Sequence, residues 1–330
     1  MRAVQVTRFG GPEVLEMAEL ADPTPGPGQI TIDVTHSAVG LIDAYLRRGQ
    51  FKNMKNLPQP PYVPGAEMVG RVRALGEGVT GFDIGEQVAT LTVGGVGGYS
   101  SVATADARFV VSIDGSDLDP GLVVSTLGNA VTAQIGLAHI THLTAGESVL
   151  VHGALGGLAS AFVGMARALG AGRIVGTVRS SSMAQAASSK LPFDQVVSAE
   201  EFPARLRDEK FDVAVDAVGG PLRDATWEVM APLGRVLVVG NASDDWSSQV
   251  DPNALWTRSI SVAGFSVGLI LPVHPEFAAP AARLALQAIK DGLLDVPVEE
   301  LPLSRAAEAH RRLEYGPVTG RVVLISEDKR

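Results

Sequence analysis

The sequence predicts an α/β protein of two domains, one mainly β and one a doubly wound parallel sheet. The length of 330 residues suggests about two domains, at roughly 150 residues each. Short strands separated by turns fill the first third of the chain, and strands alternate with helices from Val124 onward. The stretch 147–169, ESVLVHGALGGLASAFVGMARAL, joins a strand of the buried type to a helix through a glycine-rich turn.

Composition and charge limit the kinds of function that the chain can have. Hydrophobic residues make up 46% and charged residues 19%, which is enough apolar material for a sizeable core. The formal net charge of −9 disfavours a nucleic acid or an anionic membrane as the main partner. The absence of cysteine excludes disulfides and thiolate zinc sites. With no signal-peptide pattern and no uninterrupted apolar run near the roughly 18 residues of a membrane span, we expect a cytoplasmic protein.

The first third of the chain predicts a mainly β domain. Residues 30–35, ITIDVT, alternate with the period of a half-buried strand. A short helix is predicted over 39–49, VGLIDAYLRRG. Further strands are predicted over 3–6, 14–17, 67–75 and 87–91, and near the C-terminus a helix over 304–313, a strand over 320–325 and a solvated tail over 326–330.

The glycine-rich turn at 153–157, GALGG, is the strongest candidate for a ligand site. Free backbone N–H groups at the start of the following helix, together with the helix dipole, favour a bound phosphate. The glycine spacing departs from a regular G-x-G-x-x-G, and Ala159 stands where a third glycine would follow. We predict that the turn binds the pyrophosphate of a nicotinamide dinucleotide; the alternative is a βα turn with only a structural role.

The sequence after this turn predicts a parallel sheet and indicates which dinucleotide the sheet binds. Further strands are predicted over 171–178, 211–219, 234–240 and 260–265, and a helix over 132–140. An NAD site places an acidic residue at the end of the second strand to bind the ribose 2′-OH, whereas this sequence has Arg179, Ser180 and Ser181 there. An arginine and hydroxyls suit a 2′-phosphate, so we predict NADP(H); the alternative for Arg179 is a solvated loop cation.

Three motifs follow one another in the first 70 residues. They are FGGPEVL at 9–15, IDAY at 42–45, and VPGAE at 63–67 followed by Gly70. Together they resemble the medium-chain dehydrogenase/reductase superfamily, and most closely its zinc-independent quinone oxidoreductase (ζ-crystallin-like) branch. The resemblance covers nearly the whole chain and implies a GroES-like, mainly β catalytic domain formed by 1–124 and 295–330. It implies that 125–294 is an inserted Rossmann-type NADP(H)-binding domain, with the active site in the cleft between the domains.

We expect no catalytic metal. Zinc-dependent alcohol dehydrogenases of the superfamily have a histidine just before the glutamate of the VPGAE motif, and this chain has Ala66 before Glu67. Of the six histidines, only His139 and His142 are predicted to share a helical face, and no spaced carboxylate joins them. We expect Glu67 to be a polar residue near the cleft whose hydrogen bonds are satisfied within the protein; the alternative is a remnant of a metal ligand.

The predicted cofactor-binding residues come from the turn, the strand ends and the resemblance. They are Gly40, Asn129, Thr132, Ala154, Leu155, Gly156, Gly157, Leu158, Thr177, Arg179, Ser180, Ser181, Val218, Gly240, Asn241, Ala242, Phe265, Ser266, Val267 and Arg321. In the family, a lysine after the second strand helps to hold the 2′-phosphate, and an asparagine lies near the nicotinamide. The aligned residues here are Met183 and Gly40, and the loss of the asparagine implies a wider pocket.

The resemblance implies an NADPH-dependent reductase of a quinone or an α,β-unsaturated carbonyl. Because hydride transfer belongs to the cofactor, the chain must orient the acceptor and donate hydrogen bonds to its oxygen. We predict Tyr45, Tyr62 and Thr132 as catalytic residues and Asn241 as a further donor; Tyr45, assigned to a strand-to-helix loop, has packing as its alternative. Two other functions stay open, an enoyl reductase acting on a tailored biosynthetic intermediate and a dinucleotide-binding protein without turnover. From the family we expect a homodimer that pairs sheet edges, with the apolar strand 260–267 at the edge.

Overall fold

The computed structural model describes residues 1–55, 57–91, 96–316 and 320–326. Over these residues the chain forms two compact units. The first unit comprises Met1–Gly128, Gly268–Ala282 and Val296–Arg330, and the second comprises Asn129–Val267 and Arg283–Asp295. The domain boundaries predicted at 124/125 and 294/295 stay predictions. Of the predicted solvated tail, all but Ser326 lies outside the described residues.

The elements are numbered in chain order. The strands are β1 Arg2–Val6, β2 Leu15–Glu19, β3 Gln29–Ala38, β4 Glu67–Leu75, β5 Gln87–Thr90, β6 Val102–Asp106, β7 Val110–Ser112, β8 Ser148–His152, β9 Arg173–Val178, β10 Gln195–Ser198, β11 Phe211–Asp216, β12 Met230–Val238, β13 Ser261–Gly264, β14 Val298–Pro302 and β15 Arg321–Ile325. The helices are α1 Leu41–Arg48, α2 Pro120–Ile135, α3 Gly157–Ala168, α4 Met183–Ser188, α5 Gly220–Thr226, α6 Pro252–Arg258, α7 Val267–Ile270, α8 Ala278–Lys290 and α9 Ala306–Tyr315.

The first unit is built on a mainly antiparallel sheet, as the sequence predicts. The strand order is β14-β15-β3-β4-β5-β7, with β6 paired to β3, and β1 and β2 form a separate antiparallel pair. Ile30, Ile32 and Val72 are almost completely buried because alternate residues of β3 and β4 point to the same face. Strands β6 and β7 were not predicted, since VATAD and VVS are too short and mixed to show a clear alternation.

Helix α1 packs with α9 around an apolar core that includes Leu46 and Leu324. The helix begins at Leu41, directly after Gly40, so Tyr45 lies in its second turn. The assignment of Tyr45 to a strand-to-helix loop is therefore wrong. The reason is that the Asp43 carboxylate accepts the Gly40 N–H and so fixes the start of the helix before the tyrosine.

The second unit is a parallel sheet with the order β10-β9-β8-β11-β12-β13, and each neighbouring pair is parallel. Numbered by appearance within the unit, the strands are arranged 3-2-1-4-5-6, the order of dinucleotide-binding sheets. The predicted doubly wound sheet is confirmed. Its strand order reverses between β8 and β11, and ligands of such sheets bind beyond the carboxyl ends of the strands at this point. Strand β10 was not predicted, because its segment QVVS is short.

Helix α2 continues as a π-helical turn over Gly136–Ile140. The helix was predicted to start at 132, but it starts at 120. Pro120 lies in its first turn, and the Asp119 side chain accepts the Leu122 N–H at 2.8 Å. The stretch Pro120–Ile140 is long and apolar enough to cross a membrane, but 83% of its apolar window is buried inside the protein, as in a core helix.

His142 has a φ of +50° and lies beyond the helix, so the prediction that His139 and His142 share a helical face is wrong.

Candidate active site

The turn between β8 and α3 is tight and depends on its glycines. Gly153 has a φ of +67°, and a Cβ there would lie 2.9 Å from Val218 Cγ2. Gly156 N donates to Gly153 O at 2.7 Å, and Gly156 is the N-cap of α3. The N–H groups of the first helical turn have no carbonyl of their own helix to bond. This is the geometry that binds phosphates at a helix N-terminus.

Small residues let the turn lie directly on β9. Ala154 N donates to Thr177 O at 3.0 Å, and a Cβ on Gly176 would lie 2.9 Å from the Ala154 Cβ. Ala154 is fully buried, whereas Gly156 is exposed. The exposed end of the turn therefore offers backbone donors with little side chain around them, and residues 154–158 fit a pyrophosphate.

Thr177 contacts the turn through its backbone only. Its side chain is fully buried, with Oγ1 3.0 Å from His152 Nδ1, and His152 Nε2 lies 2.8 Å from Thr226 Oγ1. Burial lowers the pKa of His152 to about 4, so a neutral imidazole is held between two hydroxyls. A contact between Thr177 and a cofactor therefore has to come from its main chain while this network is kept.

The residues predicted to hold a 2′-phosphate follow β9 directly. Arg179 and Ser181 are exposed. Ser180 donates from its N and from its Oγ to Glu200 Oε2, at 3.0 and 2.7 Å. Glu200 follows β10, the neighbour of β9, so an acidic residue far along the chain reaches this loop in three dimensions.

The carboxyl ends of β11, β12 and β13 bring together the residues predicted along the nicotinamide. Asn241 is buried, and a Cβ on Gly219 would lie 1.9 Å from Asn241 Oδ1. Phe265 is buried, and its N donates to Val238 O at 3.0 Å. The other predicted residues at these ends are Val218, Gly240, Ala242, Ser266 and Val267. Because these strands run parallel to β8 in one sheet, their carboxyl ends lie at the same sheet edge as the glycine-rich turn.

Helix α2 carries Asn129 and Thr132 three residues apart and thus on one helix face. Their exposed fractions are 9% and 7%. The buried Asn129 Nδ2 has no hydrogen-bond partner within the described part of the chain. A buried donor without a protein partner usually bonds a water or a ligand. Asn129 Nδ2 is therefore suited to donate a hydrogen bond to a bound cofactor.

In the first unit, Asp43 organises the loop around Gly40. Asp43 Oδ2 accepts from Gly40 N at 2.9 Å, and Oδ1 accepts from Gly65 N at 3.2 Å. Tyr99 OH donates to Asp43 Oδ2 at 3.4 Å. Burial raises the pKa of Asp43 to about 6, although the two N–H groups favour the carboxylate. Asp43 is not among the site residues predicted from the sequence, although an acidic residue at the third helical position is a capping signal.

Replacement of Asp43 by asparagine is expected to change how stability depends on pH. The pKa of Asp43 is above its ordinary value of 3.8, so the folded state binds the proton more tightly than the unfolded chain. The contribution of this carboxyl to stability is fully present below about pH 4 and is lost as the pH rises through about 6. The unfolding free energy of the wild type, relative to that of Asp43→Asn, is expected to fall by about 3 kcal/mol across this window.

Denaturant unfolding of both proteins at several pH values between about 4 and 8 measures this difference. The control is Asp117→Asn, which changes an exposed carboxyl of the same unit and is expected to leave the pH dependence unchanged. Parallel stability curves for the wild type and Asp43→Asn would contradict the raised pKa.

Glu67 of β4 and Arg321 of β15 form a buried ion pair, with side chains 7% and 9% exposed. The pair gives Glu67 Oε2 a partner within the protein, as expected for a polar structural residue. Arg321 Nη2 lies 4.0 Å from the place of a Cβ on Gly40. Gly40, Asp43, Glu67 and Arg321 thus form one polar cluster in the first unit.

The two predicted catalytic tyrosines have different surroundings. Tyr45 is half-buried, its ring lies edge-on to Phe51 with 6.0 Å between centroids, and the Arg48 guanidinium lies 5.2 Å from the Tyr45 centroid. Tyr62 is 9% exposed, and its hydroxyl has no hydrogen-bond partner among the residues that the structure describes. Burial raises the pKa of Tyr62 above its ordinary range, so this hydroxyl stays protonated and can donate.

The residues around Glu67 do not fit a catalytic zinc, which needs three protein ligands. Ala66 is buried and has no ligand atom, and Glu67 is paired with Arg321. Within the described ranges, no group of three or more histidine, cysteine, aspartate or glutamate side chains is placed to hold a metal ion.

Two family models match the chain. The alcohol dehydrogenase GroES-like domain matches residues 26–115, and the zinc-binding dehydrogenase domain matches residues 169–324. The antiparallel first unit and the parallel 3-2-1-4-5-6 sheet agree with these matches. The fold and the site thus define an oxidoreductase of the alcohol dehydrogenase type, built without the zinc ligands.

Full-length relatives narrow this class. The quinone oxidoreductase of Lama guanicoe is 30% identical over 334 residues, covering 98% of this chain and 97% of that protein. The 2-haloacrylate reductase of Burkholderia sp is 28% identical over 340 residues, covering 98% and 99%. The crystal structure of Escherichia coli quinone oxidoreductase complexed with NADPH has a TM-score of 0.87 and 26% identity, covering 98% and 100%. The chain belongs to the medium-chain dehydrogenase/reductase superfamily, in its zinc-independent quinone oxidoreductase branch.

Proposed function

We propose that the protein is an NADPH-dependent, zinc-independent reductase that transfers a hydride to a quinone or an α,β-unsaturated carbonyl. The observation that carries the proposal is the glycine-rich β8–α3 turn beside the switch point of a 3-2-1-4-5-6 sheet. The relatives support it, since one is named a quinone oxidoreductase, another a 2-haloacrylate reductase, and the Escherichia coli structure contains NADPH.

The second unit supplies most of the proposed cofactor contacts. NADP(H), when bound, supplies the hydride that is transferred. Residues 154–158 would bind the pyrophosphate, with the N–H groups of Leu155, Gly157 and Leu158 as donors and with Ala154 and Gly156 shaping the turn. Arg179, Ser180 and Ser181 would face the 2′-phosphate. The nicotinamide side is assigned to Asn129, Thr132, Val218, Gly240, Asn241, Ala242, Phe265, Ser266 and Val267, with Thr177 contributing main-chain atoms.

Hydrogen-bond donors would stabilise the negative charge that develops on the acceptor oxygen. Tyr45, Tyr62 and Thr132 stay the predicted donors, and the protonated state of the Tyr62 hydroxyl supports that role. Gly40 and Arg321 stay predicted cofactor residues of the first unit. With glycine at position 40, no side chain fills the place where the family resemblance implies an asparagine, so bulky acceptors are expected to be tolerated.

NADPH oxidation followed with a panel of quinones and enones, in the presence of a metal chelator, tests the proposed function. Turnover with at least one acceptor at an unchanged rate after chelation is expected. Tight NADPH binding with no oxidation across the panel would instead favour a dinucleotide-binding protein without turnover. Oxidation with a carrier-bound enoyl substrate alone would favour the enoyl reductase.

We also propose that the protein is a cytoplasmic homodimer. Strand β13, Ser261–Gly264, is an edge strand of the parallel sheet, so its outer backbone groups are available to pair with a second copy. Light scattering of the purified protein is expected to give twice the mass of the chain. A monomer mass at micromolar concentration would contradict this assembly.

Replacement of Arg179 by glutamine is expected to weaken NADPH binding on the order of 10- to 100-fold, because one charge-assisted bond to the 2′-phosphate is lost. NADH, which has no such phosphate, is expected to bind almost unchanged. Fluorescence titration with both nucleotides measures the two dissociation constants, and Arg207→Gln, an exposed cation of the same unit, is the matched control. An equal loss for NADPH and NADH would show that Arg179 does not face the 2′-phosphate.

A further inference from the structure

Glu200 lies against the loop to which the 2′-phosphate is assigned. It follows β10, which pairs in parallel with β9, so the two strands end at the same sheet edge. Its Oε2 accepts from both Ser180 N, at 3.0 Å, and Ser180 Oγ, at 2.7 Å. A carboxylate oxygen thus bonds the two donors that Ser180 could give to a phosphate.

The carboxylate stays charged at neutral pH. The Ser180 hydroxyl is the main cause that lowers the pKa of Glu200, and the positive charge of Arg179 adds to it. The charge of Arg179 thus acts on Glu200 as well as on any phosphate that enters. Met183, at the position of the family lysine, brings no second cation to offset the carboxylate.

The two cofactors would meet this carboxylate in opposite ways. The 2′-phosphate of NADPH is an anion, so it repels the Glu200 carboxylate and can only accept hydrogen bonds from Ser180. Glu200 therefore has to leave Ser180 before Ser180 can donate to the phosphate. The ribose 2′-OH of NADH is a hydrogen-bond donor, and a carboxylate is the group that binds it in NAD sites. A carboxylate at this loop therefore favours NADH and opposes NADPH.

We propose that Glu200 is a specificity-determining residue that reduces the preference for NADPH over NADH and leaves the enzyme able to use both. This inference rests on the proposed function, because it concerns the same cofactor site. It corrects the sequence-based expectation that no acidic residue stands near the end of the second strand: the acid comes from the following strand.

The test compares Glu200→Gln with the wild type and with Glu201→Gln. Glutamine keeps an oxygen that can accept from Ser180 but removes the charge. Glu201 is the exposed neighbouring carboxyl, and it bonds Ser198 through its main-chain N. Dissociation constants for NADPH and NADH are measured by fluorescence titration at low and high salt, with thermal unfolding as the check on folding.

Glu200→Gln is expected to bind NADPH about 10-fold more tightly, with NADH unchanged or weaker, and the gain is expected to shrink at high salt. Glu201→Gln is expected to keep the wild-type ratio. An unchanged NADPH-to-NADH ratio in Glu200→Gln, or the same change in Glu201→Gln, would overturn the inference while leaving the proposed function intact. Failure of the wild type to bind either nucleotide would overturn both.

Discussion

Replacement of Gly156 by aspartate is expected to weaken NADPH binding by about 100-fold while leaving the protein as stable as the wild type, or slightly more stable. Gly156 is the N-cap of α3, with φ −71° and ψ 153°, a conformation that any residue adopts. Aspartate is a preferred N-cap residue, because its carboxylate accepts N–H groups of the first helical turn. Leu158 carries one of these N–H groups, and it is among the residues proposed to bind the pyrophosphate.

The predicted loss has two physical causes. The aspartate carboxylate would occupy the N–H groups of Leu158 and Ala159, and its charge would repel the pyrophosphate where the helix dipole otherwise attracts it. A Cβ at 156 would lie 3.1 Å from Gly153 O, so the turn must shift by a few tenths of an ångström, which is small beside the effect of charge. Binding and stability are therefore expected to change in different directions.

Fluorescence titration with NADPH and thermal unfolding of the same samples measure the two effects. Gly156→Asn is the matched control, since asparagine caps a helix with the same shape and no charge. We expect Gly156→Asn to bind NADPH more tightly than Gly156→Asp. Wild-type affinity in Gly156→Asp would show that the anion does not bind at the start of α3.

Replacement of Arg47 by methionine is expected to lower the free energy of unfolding by about 3 kcal/mol or more. Arg47 is fully buried on α1, pairs with Glu314 of α9, and donates to Gly10 O at 2.6 Å. Its Nε donates to His310 Nδ1 at 3.2 Å, and burial together with the Arg47 charge lowers the pKa of His310 to about 3, so the imidazole is neutral and accepts. Methionine fills the space of the stem but leaves the Glu314 carboxylate buried without its main cation.

Denaturant unfolding at neutral pH measures this loss. Arg48→Met is the control, since the Arg48 side chain is 35% exposed and lies 3.5 Å from the same Glu314 carboxylate, and we expect it to cost at most about 1 kcal/mol. The double variant Arg47→Met with Glu314→Leu is expected to recover part of the lost stability, because it removes the stranded charge. Equal losses in Arg47→Met and Arg48→Met would contradict a buried network between α1 and α9.

The glycine-rich turn could be predicted because its signals are local. A buried strand, a turn of small residues and a helix follow one another within a short stretch of chain, and the structure has them as β8, residues 153–156 and α3. The same holds for β4, predicted over 67–75 and observed as Glu67–Leu75. Periodicity and turn residues act over a few positions, so a single sequence shows them.

Contacts between distant parts of the chain could not be predicted in this way. Glu200 reaches Ser180 only because β10 pairs with β9, and β10 was itself too short to predict. Tyr99 OH lies 3.1 Å from His310 Nε2, and this contact joins the segment before β6 to helix α9, far along the chain. The direction of the Thr177 side chain also depends on such a contact: Gly176 faces Ala154, and neighbouring strand residues point to opposite faces.

The most direct test of the proposed hydride transfer uses two stereoisomers of NADPH, each labelled with deuterium on one face of nicotinamide C4. After oxidation with the best acceptor of the panel, in the presence of chelator, mass spectrometry of the NADP⁺ shows which label was transferred. A fixed cofactor on the second unit predicts that one stereoisomer loses all of its deuterium and the other keeps all of it. Equal loss from both stereoisomers, or no oxidation of NADPH at all, would contradict the claim that this chain is a zinc-independent, NADPH-dependent hydride-transfer enzyme.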